Sequence, residues 1–276
     1  MVIILTDSSA DLPKEFINQH RVYVIPLSVR VEGQDYLEGE NLTPPEFFRK
    51  MFSSEELPKT SQPSPSKFAK AYKQAFHSDD ELICLTISSK LSGTYQSALL
   101  GKELSEINVE IFDTLGGSLG HGLLVMKAAQ MASEGKNKQE IVKALYKYRE
   151  KMTIFILLDN LENVVKGGRL SKFQGSMAKV LSIKVILEGK EGEIEVLEKI
   201  RGTKKFFNRS LELIQEKRED FSDCTFGITH TGNIEDAESL KEEIKRRFHP
   251  KDIHLNYMGA TMGTYAGKGG LIVSFI

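Results

Sequence analysis

The chain has 276 residues, of which 40% are hydrophobic and 27% charged, and its formal net charge at pH 7 is −1. This length suits two domains, and the composition is that of a folded globular protein, which excludes an intrinsically disordered chain. The near-zero net charge gives no electrostatic footprint for nucleic acid, and no apolar run approaches the ~20 residues that a membrane-spanning helix needs.

The first half of the chain alternates short apolar runs with amphipathic helical patterns. The opening run has no basic region before it and ends at Asp7, so it is predicted to be a strand rather than a signal peptide, and the cytoplasm is the expected compartment. Further strands are predicted at residues 22–31, 81–87 and 109–114. Helices are predicted from Ser64-Pro65, from about Thr94, and at residues 120–134 and 138–151. This alternation predicts a mostly parallel sheet with flanking helices.

The pattern changes near residue 152. A strand is predicted at residues 153–158, and a hairpin is predicted where residues 183–187 and 194–201 flank a turn of glycines and charges. Two further helices, at residues 203–217 and 234–248, alternate with strands at residues 224–230, 253–257 and 271–276. We therefore predict an α/β protein with an N-terminal α/β domain at residues 1–155. Residues 156–276 are predicted to form an α+β domain with a mixed or antiparallel sheet.

One long stretch of the first half carries no clear period. Residues 32–63 are polar and rich in proline, which predicts that this stretch contains an irregular loop over the surface.

Three clusters of serine, threonine and glycine stand out, at residues 59–65, 88–97 and 259–270. Such residues usually cap helices and fill turns, and each cluster alone favours that simple interpretation. Helix N-termini with free amide groups and adjacent hydroxyls also bind anions, and loops of this kind lie at the carboxyl ends of parallel strands. Taken together, the clusters make anion binding an equal alternative to capping.

The sequence as a whole resembles the DegV family. The resemblance is carried, in order, by residues 2–12, by Thr60-Ser61-Gln62-Pro63, by residues 92–98 and by residues 167–171, and it spans the chain from Ile3 to Phe275. It implies a two-domain fold that encloses a long-chain fatty acid, such as palmitate, rather than an enzyme with its own catalytic centre. In FakB-like members the bound fatty acid is presented to a separate kinase, and the acyl phosphate enters phospholipid synthesis. The resemblance implies no cofactor other than this ligand.

The resemblance also implies which residues hold the fatty-acid carboxylate: Thr60, Ser61, Ser92, Gly93 and Thr94. The final motif departs from the family pattern, because Tyr265-Ala266-Gly267-Lys268-Gly269 stands where His-x-Gly-Pro-Gly is common. Tyr265 can still donate a hydrogen bond through its hydroxyl, although its reach and pKa differ from those of histidine. We therefore add Tyr265 to the predicted carboxylate site.

Two arginines are candidates for contact with a partner or its phosphate. Arg169 follows two glycines, and Arg201 lies in a second basic turn at residues 199–205. An arginine presents several donors that match the geometry of carboxylate and phosphate oxygens. The alternative for both residues is a surface salt bridge or a helix cap.

The alternative function is a serine hydrolase. Residues 116–120 match the G-x-S-x-G pattern between a predicted strand and a helix, which would make Ser118 the nucleophile, with His230, His249 or His254 as the base. No His-Gly-Gly motif for an oxyanion hole precedes it, and the four glycines of residues 116–122 make a chance match easy. The histidines show no ligand spacing, so no metal site is predicted, and no P-loop is found.

Overall fold

The first half of the chain forms one parallel and one antiparallel sheet, and all strands of both sheets precede residue 152. The computed structural model describes residues 1–78, 80–170 and 183–276. In chain order the elements are β1 (Val2–Asp7), a 3₁₀ turn (Ser8–Ala10), α1 (Lys14–His20), β2 (Tyr23–Ile25), β3 (Ser28–Val31), β4 (Gln34–Leu37), α2 (Pro44–Ser53), β5 (Lys59–Ser61), α3 (Pro65–Ala75), β6 (Glu81–Thr86), α4 (Thr94–Ser105), β7 (Val109–Asp113), α5 (Ser118–Ser133) and α6 (Lys138–Lys151).

The parallel sheet has the strand order β2-β1-β6-β7. Its central strands are apolar on both faces, because helices cover both sides, as expected for a parallel sheet. Helix α3 begins where Ser64 accepts a hydrogen bond from the Lys67 amide and Pro65 occupies the first helical position. The predicted parallel sheet with flanking helices is confirmed.

Residues 32–63 contain irregular segments, at residues 38–43 and 54–58, but also regular elements that the sequence did not indicate. This stretch contains β4, α2 and β5, and β4 and β5 pair with the two edges of β3 in a three-stranded antiparallel sheet. Helix α2 starts with a capping box between Thr43 and Glu46 and has proline at its first position. The three-residue strand β5 is too short to show a period of its own, so only its pairing with β3 defines it.

The described residues of the second half form a six-stranded sheet. The elements of this half are β8 (Thr153–Leu158), α7 (Glu162–Lys166), β9 (Ile183–Lys190), β10 (Glu193–Arg201), α8 (Thr203–Gln215), β11 (Thr225–His230), α9 (Ile234–Phe248), β12 (Asp252–Tyr257), α10 (Ala260–Ala266) and β13 (Leu271–Phe275). The strand order is β10-β9-β8-β13-β11-β12, in which only the pair β11–β12 is parallel. The predicted hairpin of β9 and β10 and the predicted mixed sheet are both confirmed.

The two halves meet along α5 and α10. Helix α5 packs closely on the large sheet, since a Cβ at Gly227 of β11 would lie 2.6 Å from the Leu119 Cβ. Residue 155, where we place the domain boundary, lies inside β8, and the boundary stays a prediction. In the described ranges no helix is long and apolar enough to cross a membrane.

Candidate functional site

A cavity of about 330 Å³ opens where β5, the start of α4, the end of α7 and helix α10 come together. One part of its wall is polar and consists of hydroxyl, amide and guanidinium groups. The rest is apolar. The lining residues are Leu27, Thr60, Ser61, Gln62, Ile87, Leu91, Ser92, Gly93, Arg169, Ile194, Thr261, Met262 and Tyr265. A volume of this size lies at the lower end of the range for small-molecule sites.

Thr60 and Tyr265 meet across this cavity although 205 residues separate them in sequence. Thr60 lies on β5, where its pairing with Val29 of β3 fixes it in place. Tyr265 lies in the last turn of α10. Their hydroxyl oxygens are 2.6 Å apart, within hydrogen-bonding distance. A hydroxyl pair of this kind can share one proton and offer the other to a ligand.

The start of α4 forms the facing wall. Ser92 accepts a hydrogen bond from the Thr94 amide, and the Ser92 and Thr94 hydroxyls lie 2.8 Å apart. Ser92 and Gly93 line the cavity, whereas Thr94 is fully buried behind them. Gly93 leaves room for the side-chain amide of Gln62, which a Cβ at residue 93 would displace. Thr94 therefore supports Ser92 rather than reaching the cavity itself.

Arg169 is the one charged side chain among the described residues that line the cavity. Its guanidinium lies over the Tyr265 ring, 4.7 Å from the centroid, and it donates to the carbonyl oxygens of Leu91 and Gly167. These contacts fix the positive charge beside the hydroxyl groups. Arg201 is exposed at the end of β10 and does not line the cavity. The position Ser171, which belongs to the same motif as Arg169, lies outside the described residues.

Sequence reasoning missed several residues of the wall. Gln62 belongs to the Thr-Ser-Gln-Pro motif, and Thr261 and Met262 belong to the third hydroxyl-rich cluster, so their positions in these motifs were available as a signal. The apolar lining residues gave no local signal, because a cavity-lining leucine and a core leucine look alike in sequence. They are Leu27, Ile87, Leu91 and Ile194.

Ser118, the nucleophile of the hydrolase hypothesis, is fully buried. Its hydroxyl donates to Asp11 Oδ2 at 2.6 Å and lies 2.7 Å from the Thr229 hydroxyl. A nucleophilic serine needs a neighbouring base and access for the substrate. The contacts of Ser118 instead join α5 to the first loop and to β11. Labelling by a serine-reactive phosphonate is the direct test of the hydrolase hypothesis.

A larger cleft, of about 690 Å³, lies beside the first cavity. Two buried carboxyl groups line it, those of Asp11 and Glu38. Burial raises the pKa of Asp11 well above its usual range, and the charge of Glu38 adds to the effect. Burial likewise raises the pKa of Glu38, against the opposing effect of hydrogen bonds from Ser8 and Thr261. Every carboxyl oxygen of this pair accepts a hydrogen bond from the protein, so both groups belong to the structural framework.

Comparisons with known proteins agree on one family. A family model that describes uncharacterised proteins of the DegV family matches residues 1–276. A DegV domain-containing protein of Caldanaerobacter subterraneus is 32% identical over 275 residues, which cover 99% of this chain and 98% of that protein. A DegV domain-containing protein of Staphylococcus aureus is 32% identical over 273 residues, with 98% of each chain covered.

Solved structures give the same result. A DegV family protein from Thermus thermophilus, whose structure concerns fatty acid binding, is 30% identical with a TM-score of 0.92, and 99% of this chain and 98% of that chain are covered. DegV from Bacillus subtilis, a fatty acid binding protein, is 30% identical with a TM-score of 0.88 and the same coverage. These likenesses confirm the fold that the resemblance implies. The chain belongs to the DegV family.

Proposed function

We propose that the protein binds a long-chain fatty acid in the cytoplasm and holds its carboxylate in the 330 Å³ cavity. The observation that carries this proposal is the convergence of Thr60, Ser92, Tyr265 and Arg169 on one cavity that also has an apolar wall. The solved DegV structures described above are fatty acid binding proteins, which supports the same ligand class.

The polar wall matches a carboxylate in chemistry. Two carboxylate oxygens offer about four acceptor positions, and the Ser61, Ser92 and Thr60–Tyr265 hydroxyls supply donors to them. Arg169 supplies a positive charge, which makes such hydrogen bonds shorter and stronger. Thr94 contributes through its contact with Ser92. Each charge-assisted hydrogen bond contributes about 1.5–3 kcal/mol, much of which offsets the desolvation of the carboxylate.

The tail supplies the larger share of the binding free energy. A saturated chain with roughly 15 methylene groups gains about 12 kcal/mol when it is fully buried, at ~0.8 kcal/mol for each methylene. The apolar wall at Ile194 and Met262 packs against the hydrophobic core between α2, α10 and the large sheet. We propose that the tail enters there, with the second half of the chain enclosing it.

Mass spectrometry of an organic extract tests the ligand. We expect protein purified from cells to carry about one C14–C18 fatty acid for each chain. The double variant Thr60→Ala, Ser92→Ala should weaken binding of the fatty acid far more than binding of its methyl ester, because only the acid carries the charge. Ser53→Ala, which removes an exposed hydroxyl at the end of α2, is the matched control. Equal losses for both ligands would show that these hydroxyls do not hold the carboxylate.

We further propose that a separate fatty acid kinase uses the bound ligand. In that reaction a carboxylate oxygen attacks the γ-phosphorus of ATP, a new P–O bond forms, and ADP leaves. Arg169 at the cavity and Arg201 on the exposed end of β10 are the cations proposed to face the partner's phosphates. Hydroxylamine trapping of the acyl phosphate, with loaded protein, ATP and a fatty acid kinase, tests this step. We expect a hydroxamate that Arg169→Gln diminishes, and its complete absence with the unaltered protein would exclude the kinase-coupled role.

A further inference from the structure

Helix α10 places Thr261, Met262 and Tyr265 in the wall of the 330 Å³ cavity, which we call the head-group cavity. Two buried carboxyl groups accept hydrogen bonds at the N-terminus of this helix. The Gly259 amide donates to Asp11 Oδ1 at 2.8 Å, and the Thr261 amide donates to Glu38 Oε1 at 2.7 Å. The Thr261 hydroxyl adds a bond to Glu38 Oε2 at 2.9 Å. The two carboxyl groups can approach the helix start this closely because residue 259 is a glycine. A Cβ there would overlap Glu38 Oε1. The start of α10 is thus held by the carboxyl groups of Asp11 and Glu38, because its N-cap residue is a glycine and has no side chain to accept these hydrogen bonds.

Glu38 also binds the two segments that flank α10. Its Oε2 accepts from the Ser8 hydroxyl at 2.5 Å, and the same hydroxyl accepts from the Leu27 amide at 3.0 Å. The Glu38 amide in turn donates to the Leu27 carbonyl oxygen at 3.0 Å. Leu27 and Thr261 line the head-group cavity, whereas Ser8 and Glu38 line the larger cleft. Glu38 therefore stands in the wall between the two cavities and connects their sides.

A carboxyl group in this position is costly for stability. Glu38 is 6% exposed, its hydrogen-bond partners among the described residues are neutral, and the charged groups that face it are Asp7 and Asp11. A neutral side chain would avoid this desolvation. An amide, however, accepts hydrogen bonds at one atom only, whereas the carboxylate accepts three bonds at two oxygens. The carboxylate is the group that can hold Ser8 and both donors of Thr261 together.

We propose that Glu38 is a positioning residue for the head-group cavity, which sets the Tyr265 hydroxyl against Thr60 by fixing the start of α10. The ligand in this inference is the fatty acid of the proposed function, whereas the contacts of Glu38 do not depend on that function. Helix α10 has seven residues, so a displacement at Thr261 is transmitted within little more than one turn to Tyr265. Loss of one well-placed hydrogen bond corresponds to about a fivefold loss of affinity.

A double-mutant cycle tests this proposal. Glu38→Gln should lower fatty-acid affinity about fivefold in the otherwise unaltered protein and less than twofold in the Tyr265→Phe background, because the two residues act through one contact. Equal losses in both backgrounds, or no loss in either, would overturn the proposal. Ile244 of α9 lies in the hydrophobic core between this helix and the large sheet. The variant Ile244→Val is the control for general destabilisation and should leave fatty-acid affinity unchanged.

A second measurement needs no ligand. In protein labelled with ¹³C-tyrosine, the ring signal that disappears in Tyr265→Phe reports the position of that ring. We expect Glu38→Gln to shift this signal, and Ser8→Ala to shift it less in the same direction. An unchanged signal in both variants would refute the positioning role. If the signal shifts but the unaltered protein binds no fatty acid, the proposed function fails and the positioning role stands.

Discussion

The aromatic ring of Tyr265 is held by contacts with Arg169 and Gly167. The Arg169 guanidinium lies over a face of the ring, and Gly167 packs against the ring so closely that a Cβ there would overlap it. Its hydroxyl is therefore aimed at Thr60 by contacts to the ring rather than by the hydroxyl bond alone. A rigid aromatic side chain placed in this way loses little conformational freedom when a ligand binds.

Gly167→Ala tests the importance of this packing. Gly167 has a φ of −76°, which any residue adopts, so the new methyl group needs no unusual φ and acts chiefly on the Tyr265 ring, with a second, tighter-than-usual contact of 3.1 Å to the Asn163 carbonyl oxygen. We expect fatty-acid affinity to fall by about tenfold, as for the displacement of a head-group donor worth ~1.4 kcal/mol, with little change in the free energy of unfolding. Titration calorimetry and urea unfolding measure the two quantities. A large loss of stability with unchanged affinity would contradict this expectation.

Asp11→Asn addresses the pH dependence of stability. Because burial raises the pKa of Asp11 in the folded protein, the folded chain binds more protons than the unfolded chain between the ordinary pKa and the raised one. In that window the free energy of unfolding rises as the pH falls, and the penalty of the buried charge is fully present above it. Asparagine accepts from Gly259 and tolerates the φ of 50° at this position, so the variant should show a shallower pH slope.

Urea unfolding from pH 5 to pH 8 measures that slope. Glu38 contributes with the same sign, since its pKa is also raised, so the slope should become smaller without vanishing. Glu103→Gln, at an exposed position of α4, is the control and should leave the slope as it is. A steeper slope in Asp11→Asn would show that the charge of Asp11 stabilises the fold.

Helices α3 and α4 approach each other closely because α4 has a glycine at the crossing. A Cβ at Gly101 would lie 2.5 Å from the Phe68 Cβ and 2.9 Å from the Pro65 carbonyl oxygen, and neither atom can move without the helix. We expect Gly101→Ala to lower the free energy of unfolding by about 1–3 kcal/mol, even though alanine improves helix propensity by about 1 kcal/mol. Thermal and urea unfolding measure this loss, and Glu103→Ala on the same helix should cost almost nothing. Stabilisation by Gly101→Ala would show that propensity outweighs packing here.

Elements with their own start signal were predictable from sequence, and elements made by tertiary pairing were not. Ser64-Pro65 indicated the start of α3. In a helix as long as α9, apolar residues recur with the helical period and are visible directly in the sequence. The same kind of signal at Thr43-Pro44 was outweighed by the polar, proline-rich composition around it, so α2 was missed. Strand β5 and helix α10 are too short to build a period, and their partners define them.

The head-group cavity depends on both halves of the chain. The first half supplies the hydroxyls of Thr60, Ser61 and Ser92 and part of the apolar wall. The second half supplies Arg169, Ile194 and α10, which carries the Tyr265 hydroxyl. The sequence predicted the polar side, because hydroxyl-rich loops next to helix starts are recognisable motifs. Long-range packing determines the apolar side, and Thr94 shows the limit of motif reasoning, since its hydroxyl supports Ser92 from behind the wall.

Because the ligand would join both halves, its removal should weaken the whole fold. A ligand that binds only the folded chain stabilises it by about 2.7 kcal/mol at one hundred times its Kd. For a chain of this length that corresponds to a rise in Tm of about 5 °C. We expect delipidated protein to unfold at the lower temperature and to recover the difference with added palmitate, whereas the methyl ester should restore less, since it cannot satisfy Arg169. Differential scanning calorimetry measures the three states. Identical Tm values with and without the acid would mean that the cavity at Thr60 and Ser92 is not where the protein gains binding free energy from a fatty acid.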